Sequence, residues 1–417
     1  MSIEGGLHGA LADSTIQPGF HVLPGQGNAL AAETDAGVVL VDSGMRRRAQ
    51  AMMDSLRRFT DQAVHAICYS HGHHGYNASV DLWQAHNRDR GDAPPRLIAH
   101  ANLLRRHARY RETDELQRRS AAVQFPGRQG VPIDLLREGM VLFDPDEVFE
   151  DALTLVTGNR PVQALWVPSE TDDAIALWFP ADGLLYGGAA TPGDTIPNIG
   201  TPLRTQRLTI RWADSLDRLV ALDAEVLVTE FGPVIRGAAA IRTRLTATAE
   251  ALRWLRDEVV DRLNRGMGER EILADMVYPP AQFEQPWMAP TYGCADYIVR
   301  DLVREESGWW DRNPTTLHPA PPDVAAEAVR RAIDDPVAVL ARARELAEAG
   351  DTQLAMHVVD LLALAPGDEP EVAEARDLKA ELCRRRAREV EPYVSKACLA
   401  SSARLLERGS SSWTDLP

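Results

Sequence analysis

Three imidazoles fall within four residues in Tyr69-Ser70-His71-Gly72-His73-His74-Gly75-Tyr76-Asn77. Directly upstream, Ala63 to Tyr69 is a short, mostly apolar run bounded by charge and glycine, which predicts a strand ending at Ser70. A neutral imidazole offers one lone pair, and residues i and i+2 of an extended loop face the same way. His71 and His73 are therefore candidate ligands of one borderline cation such as zinc.

The flanking elements form a frame for that loop. Apolar runs Ala29–Ala32 and Val38–Val41 on either side of a Glu33 to Gly37 turn predict a hairpin. Asp42-Ser43-Gly44 breaks it, and apolar Ala49, Met52, Met53 and Leu56 predict a helix from Arg46 to Phe59. A helix over 78–86 and a strand at Arg96–Ala99 follow, and this β-β-α-β-loop-α-β alternation implies a sheet covered by helices. The arginine-dense stretch from Leu103 to Gln129 reads as a solvated helical face. Strand signals return from Asp151 to Gly188. Leu252, Leu255, Val259, Val260 and Leu263 then mark a helix that stops near Gly266. Leu340–Ala349 and Leu354–Ala365, joined by Gly350-Asp351, predict a helical hairpin.

A length of 417 residues accommodates two or three domains, and a net charge of −16 with a pI of 5.2 excludes nucleic acid as an expected partner. Cys68, Cys294, Cys383 and Cys398 are scattered without a CxxC, so neither a disulfide framework nor a cysteine metal site is expected. The first twenty residues lack a basic start and a sustained apolar core, and no stretch approaches the ~18 apolar residues of a membrane span. The expected setting is cytoplasmic, with no membrane partner.

Hairpin, Val41-Asp42-Ser43-Gly44, strand and SHGHHGYN together resemble the opening of the metallo-β-lactamase fold, whose motif runs His-x-His-x-Asp-His. His71 and His73 match its first two histidines, His74 fills the variable slot, and the motif's Asp and third His fall on Gly75 and Tyr76. Val167-Pro168-Ser169-Glu170-Thr171-Asp172-Asp173 followed by a strand ending in Phe179-Pro180 resembles the alkyl sulfatases of that superfamily. By that register Glu170 is a metal ligand, and the family's bridging Glu is Ala189. Pro197 to Arg204 resembles the stretch whose arginine contacts sulfate, which places that role on Arg204 and a substrate contact on Tyr292. Guanidinium suits a sulfate ester because it makes paired charge-assisted bonds to the oxygens. Ala224 to Gly237 matches the segment carrying the family's last histidine ligand, and here Glu230 or Phe231 stands there. Asn264-Arg265-Gly266, Tyr292-Gly293, Gly308-Trp309-Trp310-Asp311 and Asn313-Pro314 are similar to the alkyl sulfatase dimerisation region.

The resemblance implies an α/β protein: an αββα metallo-β-lactamase sandwich over 1–240, an all-helical dimerisation domain over 241–408, and a loose tail over 409–417. The expected ligand set is His71, His73 and Glu170 around one zinc per chain. Gly75, Tyr76 and Ala189 remove groups that would hold a second ion, and His74, Asp172, Asp173 and Glu230 are the nearest residues to step in. His74 is thus a further candidate ligand, and Glu230 and Asp172 are candidate acid–base groups. Asp42 is expected to tie the loop backbone, and Trp309 and Trp310 to pack a domain junction. Three function classes follow. The chain is a homodimeric hydrolase of a sulfate ester or similar small anionic ester, a mononuclear metalloenzyme of another reaction class, or a metal-free dimeric scaffold.

Overall fold

The computed structural model describes residues 12–125, 139–410 and 412–413. The masked positions include most of the tail expected over 409–417, so that expectation lies outside the described residues. The chain divides into two compact units, Met1–Asp114 with Val131–Ser307, and Glu115–Gly130 with Gly308–Pro417.

In the first unit β1 (Ser14–Gln17), β2 (Phe20–Pro24), β3 (Asn28–Thr34), β4 (Gly37–Val41), β5 (Val64–Cys68), β6 (Arg96–His100) and β7 (Glu147–Phe149) form one sheet in chain order. β1 to β4 pair antiparallel, and β4 to β7 pair parallel. The parallel pairs need crossovers, which α1 (Ala49–Phe59) and α2 (Val80–Asp89) supply, and α3 (Asn102–Glu112) follows β6. The residues Arg46–Arg48 ahead of α1 form a 3-10 turn. α4 (Asp114–Gln124) lies almost wholly in the second unit. The second sheet runs β13 (Ile235–Arg236), β12 (Val226–Thr229), β11 (Leu184–Gly188), β10 (Ile175–Phe179), β9 (Val162–Trp166), β8 (Ala152–Val156). Its one parallel pair, β11 with β12, is bridged by α5 (Thr209–Val220).

Period-two alternation builds the layers. Leu30, Ala32, Val39 and Val41 face a core shared with Ile175, Leu177, Phe179 and Val228 of the second sheet. Their neighbours Ala29, Ala31, Val38 and Leu40 face the other way, onto Met52, Leu56, Val80 and Trp83 of the helices. On the far side Ala176, Leu185 and Leu227 pack against Trp212 and Leu216 of α5. Helix, sheet, sheet and helix therefore stack as the expected αββα sandwich.

α6 (Ala238–Asn264) begins earlier than its strongest apolar spacing, because Ile241 and Leu245 extend the same buried stripe. α7 (Glu269–Asp275), α8 (Pro280–Phe283) and α9 (Ala295–Ser307) complete the unit. Leu252, Leu255, Val259, Ile298 and Leu302 share one buried core with Trp212 and Leu227. By compactness this unit runs to Ser307.

The second unit is helical: α10 (Pro322–Arg331), α11 (Pro336–Glu348), α12 (Thr352–Ala363), α13 (Pro370–Glu389) and α14 (Tyr393–Leu406). The expected hairpin is α11 and α12. Asp335 caps α11 by accepting from Ala338 N at 3.0 Å, and Gly350 turns the corner at a φ of 95°. Leu340, Ala343, Val359, Leu362, Ala375 and Leu382 form its core. Trp309 and Trp310 are 67% and 42% exposed, and Trp310 Nε1 closes a local turn by donating to Asn313 O at 3.0 Å.

Candidate metal centre and arginine-lined cavity

The loops after β4, β5 and β12 and the turn joining β9 to β10 meet at one end of the sandwich. The sheets are tied there by Ile175 N donating to Ser70 O at 2.8 Å and Asn28 N to Glu230 O at 2.7 Å. Asp42, directly after β4, sits at a φ of 61° and is buried. Its carboxylate accepts from Ser70 N at 2.8 Å, Ser70 Oγ at 2.6 Å and Asn77 Nδ2 at 2.8 Å. This is the backbone-tying role expected of it. Burial pushes Asp42 up to about 7, against the effect of these donors.

Ser70 Oγ gives its one proton to Asp42, so at 3.0 Å from His71 Nδ1 it acts as an acceptor. His71 thus carries its proton on Nδ1 and presents the Nε2 lone pair inward. His71 Nε2 lies 3.0 Å from His73 Nδ1, and His73 Nδ1 lies 4.0 Å from Glu170 Oε1. One ligand atom from each of His71, His73 and Glu170 falls within 4.8 Å of the others. Burial pushes His71 down to about 4, and burial followed by the neighbouring His71 pushes His73 well below the usual histidine value. Two imidazoles held neutral beside one carboxylate are the protonation states a divalent metal needs, so these residues fit such an ion.

His74 is not part of that convergence. A turn begins at His74, and Gly75 follows at a φ of 92°, so the same-side rule for the extended loop ends at His73. The His74 ring stacks on Tyr110, with centroids 4.3 Å apart.

Glu230 reaches the centre from the end of β12. It is 2% exposed, its Oε1 lies 4.0 Å from His71 Nε2, and it accepts a hydrogen bond from the Tyr76 hydroxyl. Tyr76 also packs its ring on His71, with centroids 4.2 Å apart. Burial, then the Glu170 charge, pushes the Glu230 carboxyl well above the usual range and favours its protonated form. Two positions that depart from the metallo-β-lactamase motif thus bond to each other. Between β11 and α5, Ala189 is fully buried.

Glu170 is held from the other side. Its Oε1 accepts from Asn198 Nδ2 at 2.6 Å and pairs with Arg207 Nη1 at 3.1 Å. Arg207 also donates to Asn198 O, and Thr201 Oγ1 to Asn198 Oδ1. Burial, ahead of the charges of Arg204, Glu170 and Arg207, pushes the Tyr292 hydroxyl above its usual value, and Arg204 is the least of the causes that hold His73 down, after burial, His71, Arg207 and Arg106. Asp172 pairs with Arg105 at 2.5 Å and Arg106 at 2.7 Å, and Asp173 with Arg106 at 2.6 Å. Glu170 and Asp172 also line a cavity of about 360 Å³ together with Arg105, Arg106, Arg109, Arg207 and Arg211.

Sequence reasoning missed Arg207, Asn198, Arg106 and the bond from Tyr76 to Glu230. Arg207 stands three residues beyond the arginine singled out by resemblance, in a stretch without periodicity that would fix its direction.

Residues 22–230 match the metallo-beta-lactamase superfamily model, and residues 268–409 match alkyl sulfatase dimerisation. A linear primary-alkylsulfatase of a Pseudomonas species is 27% identical over 378 residues, covering 85% of this chain and 69% of that protein. An alkyl/aryl-sulfatase of Saccharomyces cerevisiae is 29% identical over 175 residues, covering 41% of this chain and 26% of the relative. The solved stereoselective inverting sec-alkylsulfatase Pisa1 from Pseudomonas sp. shares the fold, with a TM-score of 0.81 at 18% identity over 96% of this chain and 66% of that one. This chain therefore spans about two thirds of the length of the long relatives it matches. Among the described residues no helix is long and apolar enough to cross a membrane. The chain belongs to the metallo-β-lactamase superfamily, as an alkyl sulfatase-like member that joins the αββα sandwich to an alkyl sulfatase dimerisation region.

Proposed function

We propose that this chain is a metal-dependent hydrolase of a sulfate ester or a similar small anionic ester, working at a mononuclear zinc centre held by His71, His73 and Glu170. The observation that carries the reading is the convergence of those three ligand atoms within 4.8 Å. A zinc ion bound there supplies Lewis acidity and brings water toward a pKa of about 7.

The chain's own residues do the rest. Asp42 and Ser70 fix the His71 tautomer so that Nε2 faces inward, and Arg207 with Asn198 aims Glu170. Arg204 anchors the anionic group, with Tyr292 against the same face. Glu230 holds a proton at its buried carboxyl and the Tyr76 hydroxyl orients it, which suits a proton donor to a leaving oxygen. Asp172, neutralised by Arg105 and Arg106, positions those arginines. The matched dimerisation region supports a homodimer with a two-fold interface. The proposed setting is cytoplasmic, where the thiols of Cys68, Cys294, Cys383 and Cys398 stay reduced.

The bond from Tyr76 to Glu230 favours one second reading, a mononuclear metalloenzyme of another reaction class, because it fills ground that a second ion would need. Sulfate release from a mid-chain alkyl sulfate by the zinc-loaded protein separates the two. Release that is lost in His73→Ala supports the hydrolase; stoichiometric zinc without release supports the alternative. No zinc at all, and no change in metal content for His71→Ala, would leave the metal-free scaffold.

A further inference from the structure

The cavity beside Glu170 is walled by α3, by the turn between β9 and β10, and by the chain leading into α5. Among the described lining residues, Arg105, Arg106, Arg109, Arg207 and Arg211 stand against two carboxylates, Glu170 and Asp172. Guanidinium stays charged, so the wall carries an excess of three positive charges, or two when the buried Asp173 behind Arg106 is included.

These arginines are not equivalent. Arg105 and Arg106 are engaged by Asp172 and Asp173, and Arg207 by Glu170. Among the described residues Arg109 and Arg211 have aromatic neighbours: Arg109 lies 6.0 Å from the Tyr110 centroid and Arg211 5.3 Å from that of Trp166. Among the described residues neither has a carboxylate partner. Arg105 and Arg109 also stand at i and i+4 on α3, where like charges repel unless an anion lies between them. A second observation points the same way. Ser169 lines the cavity, is 6% exposed, and its Oγ has no hydrogen-bond partner among the described residues. A buried hydroxyl without a partner costs free energy that a ligand oxygen would recover.

Among the described residues, Pro168 and Leu208 are the apolar side chains in the wall. A hydrocarbon tail placed here would strip water from guanidinium groups without pairing their charge, whereas an oxyanion makes paired charge-assisted bonds with them. We propose that the substrate carries a second oxyanion, a carboxylate or a phosphate, on its non-reacting part, and that this cavity binds it through Arg109 and Arg211 with Ser169 Oγ donating. The reacting ester then lies on the Glu170 side, since Glu170 belongs to both the cavity wall and the ligand cluster. The proposal rests on the hydrolase reading for the reacting end only.

The test compares hexyl sulfate with the same ester bearing a terminal carboxylate, 6-sulfooxyhexanoate, and separately titrates adipate against hexanoate by calorimetry. Wild type is expected to favour the carboxylated ester by about tenfold or more in kcat/KM, and adipate over hexanoate by a similar factor in Kd. Both preferences fall toward parity in Arg109→Gln/Arg211→Gln, and the adipate preference also shrinks at high salt. Arg109→Lys/Arg211→Lys, which keeps charge but loses the planar fork, retains an intermediate preference and controls for misfolding. Equal or tighter binding of hexanoate, or an adipate preference unchanged in both variants, overturns the proposal. Failure to turn over either ester, with the adipate preference intact, sinks the hydrolase reading and leaves the oxyanion site standing.

Discussion

The Tyr76 hydroxyl donates to Glu230 Oε1, joining two residues 154 positions apart in the chain and both buried beside His71. Glu230 Oε2 has no partner among the described residues, so the Tyr76 bond is its side chain's main polar contact. Tyr76→Phe leaves a buried carboxyl without its donor and is expected to lower stability by about 1–3 kcal/mol. Glu230→Gln keeps an acceptor for Tyr76 and costs about 1 kcal/mol or less. Urea unfolding of both variants checks this, and an equal cost for the two would show that the bond does not organise the site.

Asp42 titrates differently folded and unfolded. Its folded value is raised to about 7 from 3.8, so between these pH values the unfolded chain has lost a proton that the folded chain retains. Stability from this group is fully present below the unfolded value and is lost as pH rises through about 7. Asp42→Asn does not titrate and tolerates the φ of 61° at that position. Wild-type stability relative to this variant therefore falls with pH by up to ~1.4 kcal/mol per unit across that window. Paired unfolding curves through mildly acidic to neutral pH measure it, and a pH-independent difference contradicts it.

Arg207 is 7% exposed and pairs with Glu170 Oε1 at 3.1 Å. Arg207→Met removes the partner that aims a proposed metal ligand, so zinc affinity is expected to drop by about 10–100-fold. Loss of one side of a buried pair also costs about 3 kcal/mol of stability. Competition with a chromogenic chelator reads the first effect and thermal unfolding the second. Unchanged zinc affinity with lowered stability would make Arg207 purely structural.

Gly75 adopts a φ of 92°, and a Cβ there would lie 3.1 Å from Gln26 Oε1, the end of a flexible side chain. Backbone strain therefore dominates over crowding, and Gly75→Ala is expected to cost about 1–2 kcal/mol. Gly75→Asp meets the same backbone, so placing the motif's carboxylate there does not by itself rebuild a second ion site. A single-site zinc titration of Gly75→Asp checks this.

Much of the sandwich was legible because its signals are local. Leu30, Ala32, Val39 and Val41 alternate with outward-facing neighbours, so strand faces follow from spacing alone. The same held for His71 and His73, which precede the turn, and failed for His74, which starts it. Contacts made across the chain left no such period. Nothing in the spacing of the loop from Pro197 onward distinguishes Arg207, which pairs with Glu170, from Arg204. The bond between Tyr76 and Glu230 was likewise invisible, since it joins two departures from a motif whose partners are known only once both sheets are in place. The arginines of α3 read as a solvated face, yet Arg106, largely covered, pairs with the buried Asp173 and Arg109 lines a cavity. Concavity is a tertiary property that helical spacing does not encode.

The most direct measurement is metal content by elemental analysis of the purified chain and of His73→Ala. One zinc per chain in wild type, with little or none in the variant, is the predicted result, because His73 Nδ1 sits between His71 Nε2 and Glu170 Oε1. Two equivalents in wild type, or a metal content that His73→Ala leaves untouched, would contradict the mononuclear centre.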